Sequence, residues 1–145
     1  MIKIALLSIL IPLVYSGISL FENAQEKKYL EIEISEIQKN KGQLVIEIYS
    51  SKANWLKKPD VRKIIPTEKT LDVVSIDIPF GTYSISIYQD VNKNGELDRN
   101  FIGIPKEPIG FGNNYKPFGP PKFDSASIKF STTSPVQKIK MFEVF

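Results

Sequence analysis

The sequence predicts an all-β fold: a single antiparallel β-sandwich of about seven strands with one long loop, behind an N-terminal leader. Three observations carry this. Apolar and polar residues alternate at period two in several short runs, the pattern of strands with one buried face. Turn residues separate the runs, as in Lys39-Asn40-Lys41-Gly42, Pro79-Phe80-Gly81 and Ser134-Pro135. No stretch after the leader keeps a helical period.

The first fourteen residues hold one lysine, Lys3, followed by an apolar block. The block is shorter than the roughly 20 residues that span a bilayer, and the layout is that of a secretory signal peptide. Gly17 and Ser19 supply small residues for cleavage, and Ala24 offers a second position. Residues 1–24 are expected to be the signal peptide, with cleavage somewhere in 19–24, and residues 25–145 the β-sandwich domain. The mature protein is expected in the periplasm or outside the cell, with no stable membrane span after leader removal.

The 145-residue chain contains no cysteine and no histidine. This excludes disulfides, lipid attachment at a leader cysteine, thiolate or imidazole metal sites and a Ser-His-Asp arrangement. An exported domain without disulfides rests on its apolar core, helped by any metal it binds. The net charge is +3, from 19 basic and 16 acidic residues, too even a balance for a nucleic-acid partner.

Leu30, Ile32 and Ile34 alternate with Glu31, Glu33 and Ser35. Leu44, Ile46 and Ile48 repeat the pattern after Gly42, so the two runs read as an antiparallel hairpin. Ser51 to Lys69 breaks the alternation and reads as a connection, with one helical turn near Ala53–Lys57. In it Trp55 is expected to plug an end of the core. Its basic cluster of Lys52, Lys57, Lys58, Arg62 and Lys63 is expected to be a solvated surface. A third strand runs from about Leu71 to Ile78. The fourth has Tyr83, Ile85 and Ile87 on one face and Ser84 and Ser86 on the other, making a second hairpin that ends beside Asp90. Two further strands, around Ile128 and Ile139, close the chain.

The long loop, 90–124, opens with Asp90-Val-Asn-Lys-Asn-Gly-Glu-Leu-Asp98. Oxygen-bearing side chains on alternate residues, closed by a glycine, are how a short loop wraps a hard cation. Asp90, Asn92, Asn94 and Asp98 are the expected side-chain ligands of calcium, and Glu96 is expected to contribute its backbone carbonyl. The twelfth position, which holds a bidentate glutamate in helix-flanked calcium loops, is Phe101. Glu107 is a candidate replacement that spacing alone does not establish. The competing reading is an Asn/Asp/Gly turn whose side chains cap its own backbone. Between residues 91 and 123 lie five of the ten prolines and five of the eight glycines, with aromatics throughout. That mixture predicts an ordered loop, since a disordered tether is poor in aromatics.

The run from Gly81 to Asn114, with its Gly103-Ile-Pro-Lys-Glu-Pro108 and Gly110-Phe-Gly-Asn-Asn114 segments, resembles the bacterial family catalogued as domain of unknown function 2141. So do Phe118 to Phe123, Lys41-Gly42-Gln43 and Trp55-Leu-Lys-Lys-Pro59. The resemblance implies exported bacterial proteins with a β-sandwich related to transthyretin-like, CnaB-like or Ig-like domains, and it supplies no catalytic residue. The Pro79-Phe-Gly-Thr-Tyr83 turn is similar to the P-x-G-x-Y turn of those sandwiches.

The expected function is therefore non-catalytic. Calcium would stiffen the root of the loop, and Phe111, Asn113, Asn114, Tyr115 and Phe118 would face a protein or glycan partner. One alternative is a carbohydrate-binding module using Trp55, Tyr115 and Phe118 as a platform. Another is a hydrolase using loop carboxylates such as Asp98 and Glu107.

Overall fold

A computed structural model describes residues 28–68 and 73–144. The expected signal peptide and the start of the third predicted strand lie outside these residues. Eight strands form: β1 (Leu30–Ser35), β2 (Gln43–Tyr49), β3 (Val61–Pro66), β4 (Val74–Ile76), β5 (Gly81–Asp90), β6 (Ile109–Phe111), β7 (Ser127–Phe130) and β8 (Gln137–Lys140). Single 3-10 turns stand at Lys52–Asn54, Gly112–Asn114 and Asp124–Ala126.

The strands build two sheets. One has the order β4-β1-β8, the other β3-β2-β5. The free edge of β5 is shared by two short strands: β7 pairs with its first half and β6 with Ser86–Tyr88. The pairs are antiparallel except β1 with β8, which run parallel. Period-two alternation sends Leu44, Ile46 and Ile48 of β2 and Ile85 and Ile87 of β5 to the inner face. There they meet Leu30, Ile32, Ile34, Val74, Ile76 and Ile139 of the three-stranded sheet in one core.

Both expected hairpins are corrected. β1 and β2 lie in opposite sheets, and so do β4 and β5, because each connection crosses the sandwich instead of turning within a sheet. The crossing between β1 and β2 is pinned by the fully buried Gln89. Its Nε2 donates to the carbonyls of Gln38 and Lys41 (both 2.7 Å), and its Oε1 accepts from Gln38 N–H at 2.9 Å. Gly42 completes it at φ +65°, where a Cβ would stand 2.0 Å from the Asp90 carbonyl oxygen.

The segment expected to be a bare connection holds β3, paired with Gln43 to Ile48 of β2, and the long loop holds β6. The helical turn near Ala53 is present as the single 3-10 turn. At the chain's end, Met141 N–H bonds to Ser35 of one sheet and Phe142 N–H to Ile109 of the other, closing that side of the sandwich. On the opposite side an open groove between β3 and β4 is bridged by Lys63 Nζ, which donates to the Ser75 carbonyl at 2.9 Å.

In the five-stranded sheet, β2 and most of β5 are buried on both faces, while β3 at the edge is largely exposed. Val45 and Tyr88 on the sheet's outer face join Ile109, Phe111 and Ala126, with Trp55, Leu97, Tyr115 and Phe142 packed against them. The long loop is thus a third layer folded onto the sandwich.

Candidate functional site

The loop's root is the last residue of β5. Pairing with Gln43 of β2 fixes the backbone of Asp90, whose side chain is 0% exposed. Its Oδ2 accepts from Gly95 N–H at 2.8 Å and Gln43 Nε2 at 2.9 Å, and its Oδ1 accepts from Asn94 N–H at 3.1 Å. A buried carboxylate needs such donors, because its desolvation is otherwise uncompensated. These bonds wrap the chain around Asp90, with Lys93 and Gly95 at positive φ (+59° and +84°).

The remaining side chains complete this wrap. Asn92 Oδ1 accepts from Asn94 N–H at 3.1 Å, and Asn94 Oδ1 from Glu96 N–H at 2.9 Å. The two amide nitrogens both donate to Asp98: Asn92 Nδ2 to Oδ2 at 2.7 Å, Asn94 Nδ2 to Oδ1 at 3.0 Å. Glu96 enters through its N–H, and its side chain is exposed. Among the described residues no three acidic side chains stand close enough together to hold a metal ion.

Glu107, distant in sequence and 5% exposed, closes the loop. Its Oε1 accepts from Val91 N–H at 2.8 Å and its Oε2 from Asp98 N–H at 3.0 Å, so one carboxylate ties both ends together. Residues the sequence left unassigned support the far side. Tyr88 Oη donates to the Gly95 carbonyl at 3.0 Å, and Arg62 Nη2 donates to the same oxygen and to Tyr88 Oη. Burial raises the Tyr88 phenol above its ordinary pKa, partly offset by the Arg62 guanidinium, so Tyr88 stays a donor. Arg62 sits in the basic cluster expected to be solvated; strand formation by 61–66 puts it beside Tyr88, a contact that composition does not show.

Beyond Asp98 the chain makes a closed turn. Asn100 Oδ1 accepts from Ile102 N–H (3.0 Å) and Ile104 N–H (2.9 Å), and Arg99 bridges to Pro105. Phe101 and Ile102 stand at its apex, 99% and 64% exposed.

The residues expected to face a partner divide. Phe111 is corrected: as part of β6 it is buried, 6.2 Å from Trp55 and 6.1 Å from Tyr115 between ring centroids. Tyr115 is half-buried against it. Asn113 and Asn114, both exposed and at positive φ, stitch the layer down. Asn113 Nδ2 donates to the Ser127 carbonyl, and Asn114 Oδ1 accepts from Lys140 N–H at 2.9 Å. Phe118 is fully exposed. Trp55 packs edge-on against Tyr49 and Phe123, and its Nε1 donates to the Pro121 carbonyl at 3.0 Å. Of the three rings considered as a sugar platform, Phe118 alone is fully open.

No curated protein sequence and no solved structure matches the chain. A family model matches residues 32–138, which takes in the five-stranded sheet, most of the three-stranded one, the wrapped loop and Glu107. On that match the chain belongs to the DUF2141 family, described as an uncharacterized protein conserved in bacteria.

Proposed function

We propose that this is a non-catalytic exported domain, a transthyretin-like sandwich whose Asp90–Asp98 loop binds calcium and so holds the outer layer in place for a partner. The observation that carries the metal reading is Glu107. A buried carboxylate from outside the motif ties both ends of the loop, each oxygen accepting one backbone N–H and keeping a lone pair that a cation could take in place of the missing twelfth-position glutamate.

At Asp90 the oxygen left for a cation is Oδ1, which accepts one N–H and keeps a second lone pair, whereas Oδ2 already accepts two donors. Asn92 and Asn94 are the groups that must adjust. Their amides now point nitrogen at Asp98, and rotating them offers oxygen to a cation. The transthyretin-like label is supported by the turn into β5, where Tyr83 Oη donates back to the Pro79 carbonyl at 3.0 Å. Export is supported by the leader pattern, and a non-catalytic role by the lack of histidine and cysteine.

Calorimetric titration with calcium tests the metal reading. Wild-type protein is expected to bind with a dissociation constant on the order of 0.1–1 mM, the range of extracellular modules. Glu107→Gln and Asp98→Asn should each weaken binding, with magnesium a poorer competitor. An absence of heat, with no rise in melting temperature at 10 mM calcium (about tenfold or more above that constant), would sink it.

A further inference from the structure

We propose that the two loop tips, Phe101-Ile102 and Phe118, form a membrane-contacting surface that docks on an anionic lipid bilayer. This is independent of calcium binding. Phe101 and Phe118 are 99% and 108% exposed and Ile102 64%, although elsewhere in the layer Phe111 is nearly fully buried. The apex of a turn calls for Asn and Gly, which Asn100 and Gly103 supply; it does not call for Phe-Ile. Nor are these rings on loose chain. The first tip is closed by the Asn100 bonds and the Arg99–Pro105 bridge. The second lies between Tyr115, packed on Phe111, and Pro121, held by Trp55. Both loops rest on the same outer face of the five-stranded sheet, through Leu97 and Tyr115 in one apolar cluster.

Charge favours an anionic surface. Exposed Arg99 and Lys106 flank the first tip, and exposed Lys116 and Lys122 flank the second. The nearby acids are partly engaged: Asp98 by Asn92 and Asn94, and Asp124 by Lys52 at 2.6 Å. Shape favours lipid over a protein partner. Protein hot spots sit packed at the centre of a patch, whereas these are separate convex points. A fluid interface accepts such points without complementary pockets, and basic residues beside them add attraction to anionic headgroups.

The absence of cysteine allows a local test. Full-length Ile102→Cys, Phe118→Cys and, as a control, Thr133→Cys are each labelled with an environment-sensitive nitrobenzoxadiazole dye. They are mixed with phosphatidylglycerol/phosphatidylethanolamine vesicles and with neutral phosphatidylcholine vesicles. Blue shift and quencher shielding report the labelled site alone, and the partition coefficient is compared only between variants that share residues 1–27. The labels at 102 and 118 are expected to shift blue and become shielded from aqueous quencher on the anionic vesicles, while that at 133 stays wet. Adding Phe101→Ala to Phe118→Cys should lower the partition coefficient about tenfold. Arg99→Glu with Lys106→Glu should remove the preference for anionic lipid. If both tip labels stay as wet as the control, or Phe101→Ala leaves the partition unchanged, the proposal fails. Shielding of the tips without vesicles, at rising protein concentration, would assign them to a second copy and overturn it too.

Discussion

Asp90 is a fully buried carboxylate with three N–H donors and a place at the end of a strand. Bonds to a charged acceptor contribute about 1.5–3 kcal/mol each, and stranded donors add their desolvation. Asp90→Ala is expected to lower stability by about 3 kcal/mol in urea unfolding without calcium, with Asp90→Asn closer to wild type. A loss below about 0.5 kcal/mol would mean that the loop does not depend on this cap. Tyr49 responds to the opposite end of the pH scale. Burial first, then the Glu47 carboxylate accepting its hydroxyl at 2.6 Å, pushes its phenol well above the ordinary value near 10. The folded state keeps this proton after the unfolded chain has released it. The contribution is complete below about pH 10 and is lost as pH rises beyond that. Tyr49→Phe should therefore flatten the fall in stability above about pH 10, measured by denaturant titration at pH 8 and pH 11.

At the scale of the element, the long loop is a layer with a buried side and an open side. Phe111→Ala removes a ring packed beside Trp55 and Tyr115, and should cost about 3–5 kcal/mol. Phe101→Ala removes a ring that touches almost nothing, and should fall within about 0.5 kcal/mol of wild type. Urea melts of the two variants check the contrast; equal losses would contradict the placement of the tip. Period two found the inner faces of β1, β2 and β5 because alternation is a local property. It passed over the outer layer, although Val45, Tyr49 and Tyr88 stand as apolar or aromatic residues on the supposed polar face. Three such residues on two paired strands are the sign that a second face is covered. β3 was missed because Arg62 and Lys63 interrupt its alternation, as charges on an edge strand do.

At the scale of the molecule, β5 lies at the centre of the five-stranded sheet and is buried from Ser84 to Asp90. Its middle amides and those of β2 are expected to exchange hydrogen only through global unfolding, whereas residues 100–104 exchange by local opening. Amide exchange followed by mass spectrometry tests this; central β5 exchanging as fast as the tip would contradict the two-sided burial. The same scale explains the failed hairpins. A turn such as Lys39–Gly42 fits either a hairpin or a crossing between sheets, and the strands on either side have an apolar face in both cases. The choice was made by Gln89, about fifty residues away, whose side chain satisfies the crossing's backbone.

What the sequence by itself determined was the all-β class, the inward face of each alternating strand, and the run of oxygen-bearing side chains from Asp90 to Asp98, since these depend on side-chain order over a few residues. Only the tertiary structure decided which strands pair, that the long loop forms a third layer, and that Glu107 closes the Asp90 loop. Each of these rests on burial and hydrogen bonds between residues far apart in the chain, where no local period records them.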